Sequence, residues 1–211
     1  MITKKVYLLR HAQTGPNVSG EMVKDYSKCD ILPQEPDYWK TCKSFISQYI
    51  KPTQIFCSNT TRAKQTAFML YPDMPVHTGN QLDDFDCSNV GPKKFWEMTK
   101  EEFDRKVDIP YDKILSTIDN LLYNLSALPD NSLCITHGLL MKALYQRVHY
   151  PLQKISLYDL LTKPKKQIYN LDLMEILIEI SNFKVSASTD SLKIYSFQDY
   201  YTNNFRSTYY D

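Results

Sequence analysis

Three times in this chain an apolar run stops at a polar corner, and that repetition constrains the fold more than any other feature of the sequence. Residues 6–9, 55–57 and 133–136 lack the polar alternation of a half-exposed strand, so they read as strands buried on both faces inside a parallel sheet. Helical patterns over residues 61–70 and 139–148 follow the second and third runs. Residues 38–50 put Cys42, Phe45, Ile46, Tyr49 and Ile50 on one helical face and end at Lys51-Pro52-Thr53. Residues 113–128 form the clearest helix, with Ile114, Ile118, Leu121, Leu122, Leu125 and Leu128 on one side and Pro129 as its stop. This order predicts an α/β fold, a three-layer α/β/α sandwich with a mainly parallel central sheet. Residues 13–36 read as irregular and 72–92 mainly as loop. Residues 175–180 and 192–197 read as strands at a sheet edge. The Tyr-rich terminus, residues 200–210, suits either packing on the domain or mobility.

No repeat, low-complexity block or linker divides the chain, so residues 1–211 are expected to form one domain, with roughly the last 15 residues peripheral. The 43% hydrophobic and 23% charged composition is that of a soluble globular protein with a real core. A net charge of +1 supplies no broad basic field, so nucleic acid is not an expected partner. The local Lys163-Pro164-Lys165-Lys166 cluster reads as a solvated loop. There are five cysteines, an odd number with no zinc or redox spacing, which fits a reducing, cytoplasmic setting. No signal-like start and no apolar run of ~18 residues occurs, so neither export nor membrane association is expected.

The corners carry the chemistry. Arg10-His11 ends the first run, and Arg62 opens the helix after Ser58-Asn59-Thr60. His137-Gly138 follows the third run. Parallel strands bring such corners to one edge of a sheet, where ligands of open α/β folds sit. A nucleophilic imidazole surrounded by positive donors is what phosphoryl transfer needs, since its catalysis is mostly positioning and charge stabilisation. Arginine adds a planar fork for two phosphate oxygens, and a helix start adds free N–H groups. His77 and His149 lack the strand-end setting and read as structural.

These corners resemble those of the histidine phosphatase superfamily, the phosphoglycerate mutase-like proteins. Arg10-His11-Ala12-Gln13-Thr14-Gly15-Pro16-Asn17 resembles the family's R-H-G-E-T-x-x-N signature. Residues 58–67, Ser58 through Arg62-Ala63-Lys64-Gln65-Thr66-Ala67, are similar to its S-x-x-x-R-A-x-Q-T-A stretch, and His137-Gly138 matches its second His-Gly. The resemblance implies that His11 becomes a phosphohistidine while Arg10, Arg62 and His137 hold the phosphoryl oxygens, with His137 protonated beside that dianion. Asn17, Thr14 and Gly138 would complete the substrate site, with no metal or other cofactor. The family's proton donor corresponds to Asp84 in the stretch 82–91, with Asp83 and Asp86 as alternatives. Departures from the pattern include Ala12 for the usual glycine, Gln13 for the usual glutamate, and the tail of the acid stretch. The implied activity is hydrolysis of a phosphomonoester, on a small metabolite or a phosphoprotein. A mutase is the alternative, disfavoured because little chain besides one helix separates Asp84 from His137. A catalytically weak phosphate-binding or scaffold member of the fold is the alternative of another class.

Overall fold

The first apolar run is the inner half of β1 (Ile2–Arg10), where Val6, Tyr7, Leu8 and Leu9 are all buried. The computed structural model describes residues 2–20, 25–90, 94, 97–181 and 184–205. In it β1 pairs in parallel with β4 (Ser132–Thr136), β4 with β2 (Gln54–Cys57), and β2 with β3 (Val76–Thr78). On its other side β1 pairs antiparallel with β5 (Leu173–Ser181). That strand in turn pairs antiparallel with β6 (Lys184–Ser186) and β7 (Leu192–Tyr195). The sheet is therefore mostly parallel in strand direction, β5 alone running against the rest.

Alternate residues of the central strands feed two separate cores, one on each sheet face. Val6, Leu8, Cys134, Met174 and Ile176 pack under α4 (Lys100–Val107), α5 (Tyr111–Ala127), α6 (Gly138–His149) and α7 (Leu157–Thr162). Tyr7, Leu9, Ile55, Cys57, Leu133 and Ile135 pack under α2 (Pro36–Ser47), α3 (Thr61–Leu70) and α8 (Phe197–Phe205). The expected three layers are present, and the short α1 (Gly15–Ser19) follows the β1 corner.

Several local expectations are corrected. The strand at residues 175–180 is internal, not at an edge. Its polar positions look edge-like in sequence because Glu175 is satisfied by its neighbours, accepting from the Tyr7 hydroxyl at 3.0 Å and lying 3.8 Å from the Lys5 ammonium. The region 72–92 contains β3, whose partly exposed residues carry no apolar run and which is held by its pairing with β2. Phe197 leaves the strand before it and starts α8. The described part of the Tyr-rich terminus packs on α2, with Phe197 4% exposed among Tyr38, Phe45 and Tyr201, and Tyr200 against Phe45. Tyr209 and Tyr210, like Gly91 of the acid stretch, lie outside the described residues.

Candidate active site

Strand register brings the corners together. Arg10 pairs with Thr136, and Cys57 with Ile135, so His11, Ser58 and His137 emerge side by side at one edge. Backbone bonds extend the ladder past the strand ends: His11 N–H donates to Thr136 O at 2.9 Å and Ser58 N–H to Ile135 O at 3.0 Å. The hydroxyl of Thr66 then ties α3 to the β1 corner, accepting from Ala12 N–H at 3.0 Å and donating to Arg62 O at 2.7 Å.

Arg62 stands between the two imidazoles. Its Nε donates to His11 Nε2 at 3.1 Å and its NH2 to His137 Nδ1 at 2.9 Å; the rings lie 5.2 Å apart. Because a guanidinium can only donate, both tautomers follow. His11 carries its proton on Nδ1, which donates to Ala12 O at 2.7 Å and leaves the Nε2 lone pair facing the site. His137 carries its proton on Nε2 and donates to the Ser58 hydroxyl at 2.8 Å, which in turn donates to Asp83 Oδ1 at 2.5 Å. Burial, then Arg62 and Arg10, hold His11 well below the ordinary histidine range. Burial, then His11, Arg62 and Arg10, do the same for His137. Both rings are therefore neutral at physiological pH.

The three candidate carboxylates separate by environment. Asp83 also accepts from Asn59 N–H at 2.8 Å, and Asp86 accepts from Ser88 N–H at 2.9 Å on the exposed rim. All three line the cleft; Asp84, half-buried there, caps the start of α6, accepting from Leu140 N–H at 3.1 Å. Burial pushes Asp84 up to about 6, against the pull of Arg62, the Phe85 hydrogen bond and Arg10. The stretch carrying it is pinned by the Thr136 hydroxyl, which donates to Leu82 O at 2.7 Å.

Arg10 points into the same space. Its NH1 donates to Ile168 O, and its Nε is buried without a hydrogen-bond partner. Burial lowers its pKa to about 10. A Cβ on Gly138 would lie 2.8 Å from that Nε, so the glycine is required for the close approach of a side chain; its φ is not in the left-handed region. Thr14 and Asn17 line the cleft, and Asn17 Oδ1 accepts from Thr14 N–H at 3.3 Å.

A segment that sequence reasoning passed over completes the wall. Asn170 Nδ2 donates to His11 O at 2.8 Å and to Asn17 Oδ1 at 3.1 Å, and Leu171 N–H donates to Arg10 O at 3.1 Å. Leu171 is fully buried with φ at 64°, a strained conformation for a bulky residue that persists only where packing over-determines it. Lys142, one helical turn beyond Gly138, is another such residue; a lone charge in the apolar run of α6 was its available signal. The resulting cleft has a volume of about 680 Å³. Among the described residues, no group of three or more His, Cys, Asp or Glu side chains is placed to hold a metal ion. Nor is any helix long and apolar enough to cross a membrane.

A family model described as histidine phosphatase superfamily (branch 1) matches residues 6–165, and the chain belongs to that superfamily. No curated protein matches the sequence significantly. Among solved structures, a mutant phosphoserine phosphatase from Entamoeba histolytica in complex with phosphoserine is 16% identical, covering 92% of this chain and 98% of its own, with a TM-score of 0.67. A mycobacterial glucosyl-3-phosphoglycerate phosphatase in complex with VO3 is 16% identical, covering 91% and 96%, with a TM-score of 0.56. A phosphoglycerate mutase from Bacillus anthracis is 13% identical, covering 88% and 92%, also at 0.56. At these identities the likeness is one of fold.

Proposed function

We propose that the protein hydrolyses a small-molecule phosphomonoester through a covalent phosphohistidine on His11. The observation that carries this reading is the convergence of the His11 Nε2 and His137 Nδ1 lone pairs on Arg62. A phosphoryl group entering there takes over the Arg62 donors and meets the unpartnered Nε–H of Arg10. Its negative charge reverses the balance at His137, which takes up a proton on Nδ1 and donates it as a third hydrogen bond. The Ser58–Asp83 pair supports the resulting imidazolium from behind, so Asp83 orients His137 rather than donating a proton. Thr14 and Asn17 close the side of the phosphoryl site, braced by Asn170.

In the first step the Nε2 lone pair of His11 attacks phosphorus in line, the P–O ester bond breaks, and Asp84 gives its proton to the departing oxygen. In the second, Asp84, now a carboxylate, takes a proton from water as that water attacks the phosphohistidine. The P–N bond breaks and inorganic phosphate leaves. The concave cleft suits a small molecule better than a protein surface. Hydrolysis is favoured over mutase chemistry because, among the described residues, nothing between Ser88 and Gly138 lines the cleft, so the described part of that stretch supplies no lid to exclude water.

Asp84→Asn is expected to slow an alkyl phosphate by on the order of 10² or more while affecting p-nitrophenyl phosphate far less, since nitrophenolate leaves readily unprotonated. The protonated form is the active one, so with Asp84 at about 6 in the free enzyme, kcat/KM on an alkyl phosphate falls as pH rises past that value. The variant loses this limb. Equal losses on both substrates would assign Asp84 a positioning role.

Gly138→Ala is expected to preserve the helix, because its φ suits any residue, yet displace Arg10. The inhibition constant for vanadate should rise about tenfold, the scale of one charge-assisted hydrogen bond. An unchanged constant would remove Arg10 from the anion site.

A further inference from the structure

Outside the phosphoryl site, the charged groups facing the cleft among the described residues are satisfied by neighbours, with one exception. Asp25 accepts from Ser27 N–H and pairs with Lys28 at 2.9 Å; Asp83 is held by Ser58 and Asn59; Asp86 is held by Ser88. Lys142 lines the same cleft and, among the described residues, makes no hydrogen bond or ion pair. It is the lone charge within an apolar stretch of α6, where Leu139, Leu140, Met141, Ala143 and Leu144 are buried.

Side chains on a helix lean toward its N-terminus, so the Lys142 ammonium leans toward Gly138 and the cleft. Burial, with Arg10 adding to it, lowers its pKa to about 8, while Asp84 pulls the other way. A half-buried cation near Arg10, with no partner among the described residues, is held at a cost that an arriving anion removes. The three non-bridging phosphoryl oxygens already have donors in Arg10, Arg62 and His137. Asp84, which accepts from Leu140 N–H, serves the leaving oxygen, and Lys142, two residues further along α6 and lining the same cleft, lies on that side.

We infer that Lys142 forms a subsite for a second anionic group, a carboxylate or a further phosphate, carried by the part of the substrate that leaves. The inference rests on the phosphomonoesterase reading of the same cleft and names the class of its substrates. They are phosphate esters whose alcohol portion is itself an anion.

Two matched pairs of ligands test it: 3-phosphoglycerate against glycerol 3-phosphate for the carboxylate, and fructose 1,6-bisphosphate against fructose 6-phosphate for the second phosphate. Calorimetric titration in a His11→Ala background removes turnover from the measurement. The more anionic member of at least one pair is expected to bind about tenfold more tightly or better, the scale of a hydrogen bond between charged groups. Adding Lys142→Met, or Lys142→Gln should the first fold poorly, should collapse that ratio, and Lys142→Arg should keep it. The pair that responds identifies the anion. No preference in either pair, or a preference that survives both neutral variants, overturns the inference. Binding in this background does not depend on chemistry. Failure of the wild-type protein to hydrolyse p-nitrophenyl phosphate would therefore count against the phosphatase reading alone.

Discussion

Arg62→Ala should lower kcat/KM on any accepted phosphomonoester by on the order of 10³, because the guanidinium touches both imidazoles and is aimed at the charge of the transferring phosphoryl group. Lysine in its place should recover little, since a point charge cannot donate along two fixed directions at once. The variant also changes the pH profile in a defined direction. Arg62 helps hold His11 below its ordinary range, so its removal raises the His11 pKa and the remaining activity falls away at a higher pH on the acid side than in the wild type. Steady-state kinetics across pH would check both effects. Full activity in Arg62→Ala would reduce this arginine to a structural residue of α3.

The second large effect is expected from His11→Ala, with a loss in kcat on the order of 10⁴ or more, as for removal of a covalent nucleophile. The fold should persist, because the Nδ1 bond of His11 is to its own neighbour Ala12, and the strand ladder runs through its backbone rather than its ring. Vanadate should still bind through Arg10, Arg62 and His137. Residual turnover within about tenfold of wild type would leave the site without a nucleophile of this kind.

The sequence made the strands β1, β2 and β4 legible because they are buried on both faces and so read as unbroken apolar runs, and it made Arg10, His11, Arg62 and His137 legible because each follows such a run. Strand β3 was hidden, since its residues are partly exposed and only pairing with β2 gives it form. The internal position of β5 was hidden by Glu175, whose charge is satisfied by Tyr7 and Lys5 from the neighbouring strand. The family resemblance points to Asp84 as the acid, with Asp83 and Asp86 as alternatives. Their environments differ in three dimensions: Ser58 and Asn59 bind Asp83, Ser88 binds Asp86, and Asp84 lies half-buried against the start of α6. Asn170 and Leu171 were invisible for another reason, since their contacts with His11 and Arg10 join positions at least 159 residues apart and leave no local pattern.

The most direct test of the central claim is to mix the protein with an excess of phosphoryl-labelled phosphomonoester, quench in alkali at a series of times within a turnover, and map the label by peptide mass spectrometry. A labelled peptide modified at His11, stable in alkali and lost in acid, and absent from His11→Ala, is the expected result. Release of inorganic phosphate with the label on another residue, or with no labelled His11 at any quench time, would contradict it.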